Sequence, residues 1–205
     1  MDAGLSNLLT LKQHLLRDED ILDIVWDDAV ARIGLGVADA LNKHCNRLFQ
    51  RSAGDTYITT ADRVQLWLPR APVETVTSVH LQEDATDGWE AQDSTVIANQ
   101  DLTSGWIYFG YALGDYSALI KVTYTGGYYY DTTEDGTGTQ PSAATAVPDD
   151  LKLAWLLQCE HIWSMRDKLG ITVGDAPGKQ SAVDQLQLIP EVRRILQGYI
   201  RYAIA

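Results

Sequence analysis

The spacing of apolar residues changes twice along this chain of 205 residues. From Leu22 to about Phe49, apolar residues recur every three or four positions, which is the spacing of one face of an α-helix. Further along, apolar and polar residues alternate in short runs between turn residues, as in half-buried strands. Helical spacing returns in the last part of the chain. The sequence therefore predicts an α+β fold, in which residues 1–54 and 147–205 form a helical bundle and an antiparallel β-rich region is inserted at residues 55–146.

Local signals predict where the helices begin. Thr10-Leu11-Lys12-Gln13 is a capping-box pattern and predicts the start of a short first helix. The apolar stripe that follows predicts one long helix, in which Gly34 and Gly36 indicate a kink or a close contact with another helix. Pro148, followed by two aspartates, predicts the start of a third helix, and Pro190 predicts the start of the last one.

The region between the helices contains several short strand candidates. Turn-forming Pro, Gly, Asp and Ser residues separate them. The candidates are residues 64–68, 76–81, 94–98, 105–109 and 119–124. Residues 131–146 are rich in Thr, Gly, Asp and Ala, and this composition predicts a long loop.

The chain is acidic, and its charge is unevenly distributed. It carries 28 acidic and 16 basic residues, which gives a formal net charge of −12. Residues 83–150 contain twelve acids and one base, whereas residues 151–205 contain five acids and seven bases. A surface this negative repels phosphate groups, which argues against tight, sequence-reading contact with nucleic acid. The slightly basic C-terminal segment suits contact with another protein.

The sequence shows no targeting signal. No apolar run approaches the roughly 20 residues that span a bilayer, and the N-terminal residues lack the basic and apolar stretches of a secretion signal. The two cysteines, Cys45 and Cys159, fall in helical segments and do not make a disulfide framework. We therefore expect no membrane partner and folding in the cytosol.

Motifs for catalysis and for ligand binding do not meet their requirements. Residues 174–179 resemble a P-loop, but three residues separate the glycines instead of four, and Gln180 stands where that loop needs Ser or Thr. The four histidines are scattered and neither cysteine has a Cys-x-x-Cys neighbour, so no metal site is predicted. Asp149 and Asp150 fit the first turn of a helix better than a pair of catalytic acids. The sequence predicts neither an enzyme nor a cofactor.

The aromatic residues of the β-rich region leave two interpretations open. Such side chains usually pack in cores and interfaces, and they also stack on sugars in binding sites. The second interpretation would make the chain a carbohydrate-binding module. The residues concerned are Trp89, Trp106, Tyr108, Tyr111 and Tyr116.

Several segments of the chain are informative as a set. Each motif alone is a weak signal of a protein family, but their order and spacing are a more specific one. They are Ala40–Phe49, which ends in Asn46-Arg47-Leu48-Phe49; Leu66–Val79, which contains Pro69-Arg70-Ala71-Pro72-Val73; Ile120–Tyr128, which contains Gly126-Gly127; Val147–Ala154; and Ile189–Val192. In this order they resemble the head–tail connector proteins of tailed bacteriophages. These are also called adaptor or head-completion proteins, and the resemblance is to their longer form.

The resemblance implies a structural virion protein without catalytic residues. Proteins of this family form rings, usually of twelve copies, beneath the portal of the DNA-filled head, where they join the portal to the tail or to a stopper protein. The genome leaves the head through the channel that the ring surrounds. For this chain the resemblance therefore implies self-association, portal and tail partners, and passing genomic DNA that is not tightly bound. It also implies a location in the virion neck after assembly in the host cytoplasm.

Two sets of candidate contact residues follow from the resemblance and from the charges. In related adaptors the C-terminal segment docks on the portal, and the basic and aromatic candidates here are Arg193, Arg194, Tyr199, Arg201 and Tyr202. Acidic side chains on the channel wall would repel DNA phosphates and let the DNA slide, and the candidates are Asp131, Glu134 and Asp135. A different neck or tail-completion protein remains an alternative of the same class.

Overall fold

The computed structural model describes residues 3–18, 20–133, 138–165, 173–174, 180–181 and 187–201. Their contacts divide the chain into two units. The first, called here the helical unit, comprises Met1–Asn46, Tyr130–Thr139 and Val147–Ala205. The second, called here the β unit, comprises Arg47–Tyr129 and Gln140–Ala146.

The described residues of the helical unit include four α-helices. They are α1 (Leu8–Leu15), α2 (Asp27–Cys45), α3 (Asp149–Met165) and α4 (Pro190–Leu196). A 3₁₀ turn at Ile24–Trp26 leads into α2, and another at Gln197–Tyr199 follows α4. Helix α3 contacts the other three helices, so it lies at the centre of this unit.

Capping side chains explain where these helices begin and end. Helix α1 begins after Asn7, whose side chain accepts a hydrogen bond from the Thr10 backbone N–H at 2.8 Å. The predicted capping box at Thr10 is therefore wrong, because Thr10 already lies in the first turn. Helix α2 ends at Asn46, whose φ of 50° is left-handed and stops the helix. Pro190 occupies the first turn of α4, as predicted.

Helix α2 is shorter than the apolar stripe that predicted it. It has 19 residues, and the first residues of the stripe, Leu22 and Val25, are 88% and 72% exposed. Asp23 interrupts the pattern, because its side chain accepts a hydrogen bond from the Val25 N–H at 2.9 Å and starts a 3₁₀ turn. Apolar residues at helical spacing therefore extend beyond the helix itself.

The core of the helical unit is centred on the fully buried Trp155. Its indole Nε1 donates a hydrogen bond to the Gly34 carbonyl at 2.9 Å. A Cβ atom at Gly34 would lie 2.1 Å from the Ala3 carbonyl oxygen, whereas a Cβ atom at Gly36 would meet no atom within 4 Å beyond its own stretch of helix. The predicted close contact is thus confirmed at Gly34 and is absent at Gly36. Other core side chains are Leu11, Val30, Leu41, Leu151, Cys159, Val192 and Leu196.

The β unit contains two antiparallel sheets. The larger has the strand order β1 (Ser52–Thr60), β7 (Leu119–Gly126), β3 (Val73–Gln82), β4 (Glu90–Gln92). The smaller has the order β2 (Gln65–Trp67), β6 (Trp106–Tyr108), β5 (Asn99–Asp101). A short parallel pair joins β8 (Tyr128–Tyr129) to β9 (Thr145–Ala146). In the helical unit, β10 (Val173–Gly174) and β11 (Gln180–Ser181) pair antiparallel.

The two antiparallel sheets of the β unit share one hydrophobic core. Along β7, buried residues alternate with half-buried ones, so one face of the strand points into the protein. The buried face joins buried side chains of the smaller sheet in a single cluster. Its members include Leu66, Leu68, Val79, Ile107, Phe109, Ile120, Val122 and Tyr124.

The predicted α+β class is confirmed, with helices toward both ends and antiparallel sheets between them. The strand predicted at residues 94–98 is wrong. Ser94–Val96 form a 3₁₀ turn, because the Asp93 side chain accepts a hydrogen bond from the Thr95 N–H at 2.8 Å. Strands β1 and β4 were not predicted, since both are rich in polar residues.

Candidate functional site

Three of the segments that carry the family resemblance meet at one place in the β unit. We call this place the motif junction and define it as Arg47–Phe49, Pro69–Val73 and Gly126–Tyr128. Backbone hydrogen bonds link all three segments. Leu48 N donates to Pro69 O at 2.9 Å, Tyr128 N to Phe49 O at 2.7 Å, and Gly127 N to Pro72 O at 2.8 Å.

Arg47 lies at the centre of the motif junction. Its guanidinium donates a hydrogen bond to the Ala71 carbonyl. The same group stacks on two aromatic rings, with its central carbon 5.0 Å from the Phe49 centroid and 5.8 Å from the Tyr128 centroid. Cation–π contacts of this kind add attraction where water is partly excluded. Arg47 therefore fastens the three segments to one another.

A second arginine ties the junction to the larger sheet. Arg70 Nε donates to Asp55 Oδ2 at 2.6 Å, and the Arg70 backbone N–H donates to the Tyr124 hydroxyl at 3.2 Å. That hydroxyl in turn donates to Asp55 Oδ2 at 3.4 Å. Burial, the largest contribution, raises the pKa of Tyr124 to about 12, so the phenol is neutral at physiological pH.

Glycine is required where the third segment approaches the first. Gly127 has a φ of 96°, and a Cβ atom there would lie 2.4 Å from the Gln50 carbonyl oxygen. A side chain is excluded both by this contact and by the left-handed backbone.

Nearby, Arg51 binds Glu74 through two hydrogen bonds of 2.6 and 2.9 Å, and this pairing raises the pKa of Arg51. The hydrogen bonds and close backbone approaches of the motif junction therefore make it a structural brace.

The C-terminal segment packs against the other helices of the helical unit. Val192 and Leu196 of α4 are fully buried, whereas Arg193 and Arg194 on the same helix are exposed. Tyr199 is half-buried, and its hydroxyl donates to Asp150 Oδ1 at 2.6 Å. The Arg201 backbone N–H donates to the Cys45 carbonyl at 2.9 Å. Of the predicted portal contacts, Arg193 and Arg194 therefore reach solvent, and Tyr202 lies outside the described residues.

Asp131 is the candidate channel acid that the described residues include, because Glu134 and Asp135 lie outside them. One oxygen of its carboxylate accepts hydrogen bonds from the Thr133 N–H at 2.8 Å and the Thr133 hydroxyl at 2.6 Å. The other oxygen accepts from the Gly138 N–H at 2.8 Å. The carboxylate thus organises its own loop.

Four acids of the β unit, Asp84, Asp93, Asp101 and Asp115, are exposed. The pKa values of Asp84, Asp93, Asp101 and Asp115 are lowered because hydrogen bonds from neighbouring Thr or Ser residues stabilise each carboxylate. These groups therefore keep their negative charge well below neutral pH. These acids were not predicted as functional residues, although an Asp two or three residues before Ser or Thr is the local signal for such a turn.

The aromatic residues considered for sugar binding do not gather in one place. Trp106 and Tyr108 stack on each other with ring centroids 5.9 Å apart, and Trp106 Nε1 donates to Gln65 Oε1 at 3.2 Å. Trp89 instead lies under the Lys121 ammonium, 4.4 Å from its ring centroid. Tyr111 and Tyr116 are exposed. Trp67, which pairs with Trp106 in register, was missed by the sequence analysis.

Within the described ranges, no group of three or more His, Cys, Asp or Glu residues is placed to hold a metal ion. The same residues include no helix that is both long enough and apolar enough to cross a membrane. Cys45 and Cys159 are both buried, and they form no disulfide with each other. Burial raises the pKa of the Cys159 thiol, which makes it a poor nucleophile.

No protein-family model and no curated protein sequence matches this chain. Solved structures do match it. A chain from the neck of a native gene transfer agent (GTA) particle, computed with C12 symmetry, is 14% identical with a TM-score of 0.47, and the alignment covers 97% of this chain and 91% of that one. That TM-score is too low to support a shared fold. A chain from the neck of an empty GTA particle, computed with C6 symmetry, is 16% identical with a TM-score of 0.61. Because this alignment covers 99% of our chain and 93% of the other, the protein has, over nearly its whole length, the fold of a chain from the neck of a phage-like particle.

Proposed function

We propose that this chain is a structural subunit of the neck of a tailed bacteriophage or phage-like particle. More specifically, it acts as a head–tail adaptor that forms a ring between the portal and the tail, around the channel for the DNA. The observation that carries the proposal is the match to a GTA neck chain at a TM-score of 0.61 over nearly both full lengths. Independently, the order of the family-like segments in the sequence supports the same assignment.

The charge of the chain supports a role beside DNA that does not include binding it. The β unit carries several exposed carboxylates that stay ionised, among them Asp84 and Asp115. Such groups repel phosphates and release no counterions from DNA, so DNA can pass without sticking. Asp131, Glu134 and Asp135 remain the proposed acids of the channel wall, with Asp131 also holding its own loop.

The C-terminal segment is the proposed contact with the portal. Arg193 and Arg194 are exposed on α4 and supply its positive charge. Tyr199 and Arg201 form hydrogen bonds with Asp150 and with the Cys45 carbonyl, and these bonds hold the segment in place. The aromatic side chain of Tyr202 belongs to the same proposed contact.

Charge reversal tests the portal contact better than deletion of the segment, because deletion would also remove Val192 and Leu196 from the core. We expect the variant Arg194→Glu to lose capture of the portal protein of the same particle. Arg63→Glu, an exposed arginine of the β unit, is the matched control and keeps wild-type capture. Unchanged capture by Arg194→Glu would refute this contact. Capture of the tail tube in place of the portal would favour a different neck or tail-completion protein.

A second candidate function, carbohydrate binding, is favoured by one observation. Trp67, Trp106 and Tyr108 lie beside one another on β2 and β6, and Trp67 is 42% exposed. Aromatic rings grouped in this way can stack on sugar rings. A glycan array tests this function: binding that Trp106→Ala abolishes would support it, and an array without binding would exclude the glycans it contains.

A further inference from the structure

The turn that precedes α2 exposes three aliphatic side chains close together. Leu22, Ile24 and Val25 are 88%, 79% and 72% exposed. We call residues Leu22–Val25 the apolar turn. Scattered apolar residues are normal on a protein surface, but a cluster as exposed as this one marks an interaction site.

The apolar turn is rigidly supported by the helical unit. The buried Lys12 ammonium donates to the Asp23 carbonyl at 2.8 Å and to Asp27 Oδ1 at 2.5 Å, so it holds both ends of the 3₁₀ turn. Trp26 packs edge-to-face on Trp163, with ring centroids 5.7 Å apart. A buried ammonium is tolerated only where its hydrogen bonds are satisfied. Here its bonds preorganise the exposed side chains for binding, which lowers the entropy lost on association.

A groove lies on the same unit, lined by residues of α2, by residues 187–188 and by α4. Its volume is about 710 Å³ and its lining is mainly apolar, including Gly36, Ala40 and Leu188. Its polar lining is mostly basic, with Lys43, His44 and Arg193. The acid Asp39 also lines the groove and pairs with Lys43 at 3.4 Å, which leaves the Arg193 charge in excess. We call this the α2–α4 groove.

We propose that the apolar turn of one copy docks in the α2–α4 groove of the next copy, as one of the contacts that build the ring. The two surfaces are complementary, because the acids Asp20, Asp23 and Asp28 lie in and beside the turn, whereas Arg193 leaves the groove with an excess of positive charge. A contact between two different patches is heterologous, and this is the kind of contact that closes a cyclic ring. The inference rests on the proposed ring.

Variants that fill or disable one surface at a time test this contact. The turn variant Ile24→Asp/Val25→Asp changes exposed side chains, and the groove variant Gly36→Phe/Lys43→Glu fills a position with no atom within 4 Å of its Cβ site. Sedimentation should show that each variant loses self-association. A mixture of the two should form dimers and nothing larger, since one intact turn and one intact groove remain. Ile58→Asp, an aliphatic residue of the β unit that is 51% exposed, is the control that keeps assembly.

A cysteine pair gives a readout that does not depend on a stable ring in solution. Oxidation of Val25→Cys/Ala40→Cys at high protein concentration should yield a ladder of covalent oligomers, because each copy then carries one thiol on each surface. A chain that stays monomeric after oxidation, or self-association that survives in the turn and groove variants, would overturn the proposal.

The two proposals can fail separately. If the cysteine variant forms covalent oligomers but no ring is found on the portal, this contact stands and the adaptor function is refuted. If a ring is found on the portal but the cysteine variant forms no covalent oligomers, the function stands and this contact is refuted.

Discussion

Tyr124 shows how one side chain of the β unit serves both the core and a polar network. Its ring is fully buried in the cluster shared by the two sheets. Its hydroxyl accepts a hydrogen bond from the Arg70 backbone and donates one to Asp55. The residue therefore links the Pro69–Val73 segment to the larger sheet.

Replacing Tyr124 by Phe keeps the ring and removes both hydrogen bonds. We expect the free energy of unfolding at neutral pH to fall by about 1 kcal/mol. The pKa of this phenol is about 12 in the folded chain and about 10 in an unfolded one. Its contribution is therefore complete below about pH 10 and is lost as the pH rises toward about 12. Urea denaturation across that window should show a steeper loss for the wild type than for Tyr124→Phe. Equal slopes would contradict a buried neutral phenol.

The contacts of Arg47 in the structure differ from those that its place in the sequence predicts. Its position after a long helix predicts an interaction with the helix dipole. In the structure the left-handed Asn46 turns the chain away, and the Arg47 guanidinium binds the Ala71 carbonyl and two aromatic rings. Phe49 is two residues away, but Ala71 and Tyr128 are distant in sequence, so periodicity and spacing could not have identified them.

At the scale of elements, features set by neighbouring residues could be predicted from the sequence, whereas features set by contacts between distant segments could not. Pro190 and the two aspartates after Pro148 correctly predicted helix starts, because caps act within one turn. Strand β1 was missed because a sheet can hold a polar strand by pairing alone, and Ser52–Thr60 pairs with β7 along most of its length. The start of α2 was misplaced because Asp23 and the buried Lys12 fix a 3₁₀ turn that the apolar spacing does not show.

The two glycines of α2 form a matched pair for testing its packing. We expect Gly34→Ala to destabilise the chain by roughly 1–3 kcal/mol, because the new Cβ would lie 2.1 Å from the Ala3 carbonyl oxygen and 2.7 Å from Leu11 Cδ2. Gly36→Ala meets no atom within 4 Å and should stabilise the helix by up to about 1 kcal/mol. Thermal or urea denaturation measures both. Equal effects of the two substitutions would show that α2 does not pack closely at Gly34.

For the whole molecule, the formal charge of −12 makes a direct prediction about DNA. We expect no binding of duplex DNA in fluorescence anisotropy at physiological salt, because a protein with this net negative charge repels the phosphates. Neutralising Asp84, Asp87 and Asp93 to Asn should raise DNA affinity at low salt relative to the wild type. Tight binding by the wild type would exclude a role in which DNA slides past.

The fold class and the proposed class of particle could be predicted from sequence because both depend on the order of local patterns along the chain. The residues proposed to join one copy to another could not be predicted in this way. The apolar turn and the α2–α4 groove are formed by separate segments, and their exposure is a property of the folded chain.

Electron microscopy of the purified protein mixed with its portal tests the adaptor function most directly. The proposed function predicts a ring of copies of this chain, coaxial with the portal and lying on its tail-facing side, with an open channel through both. A portal left without added density, or copies bound away from its axis, would contradict it.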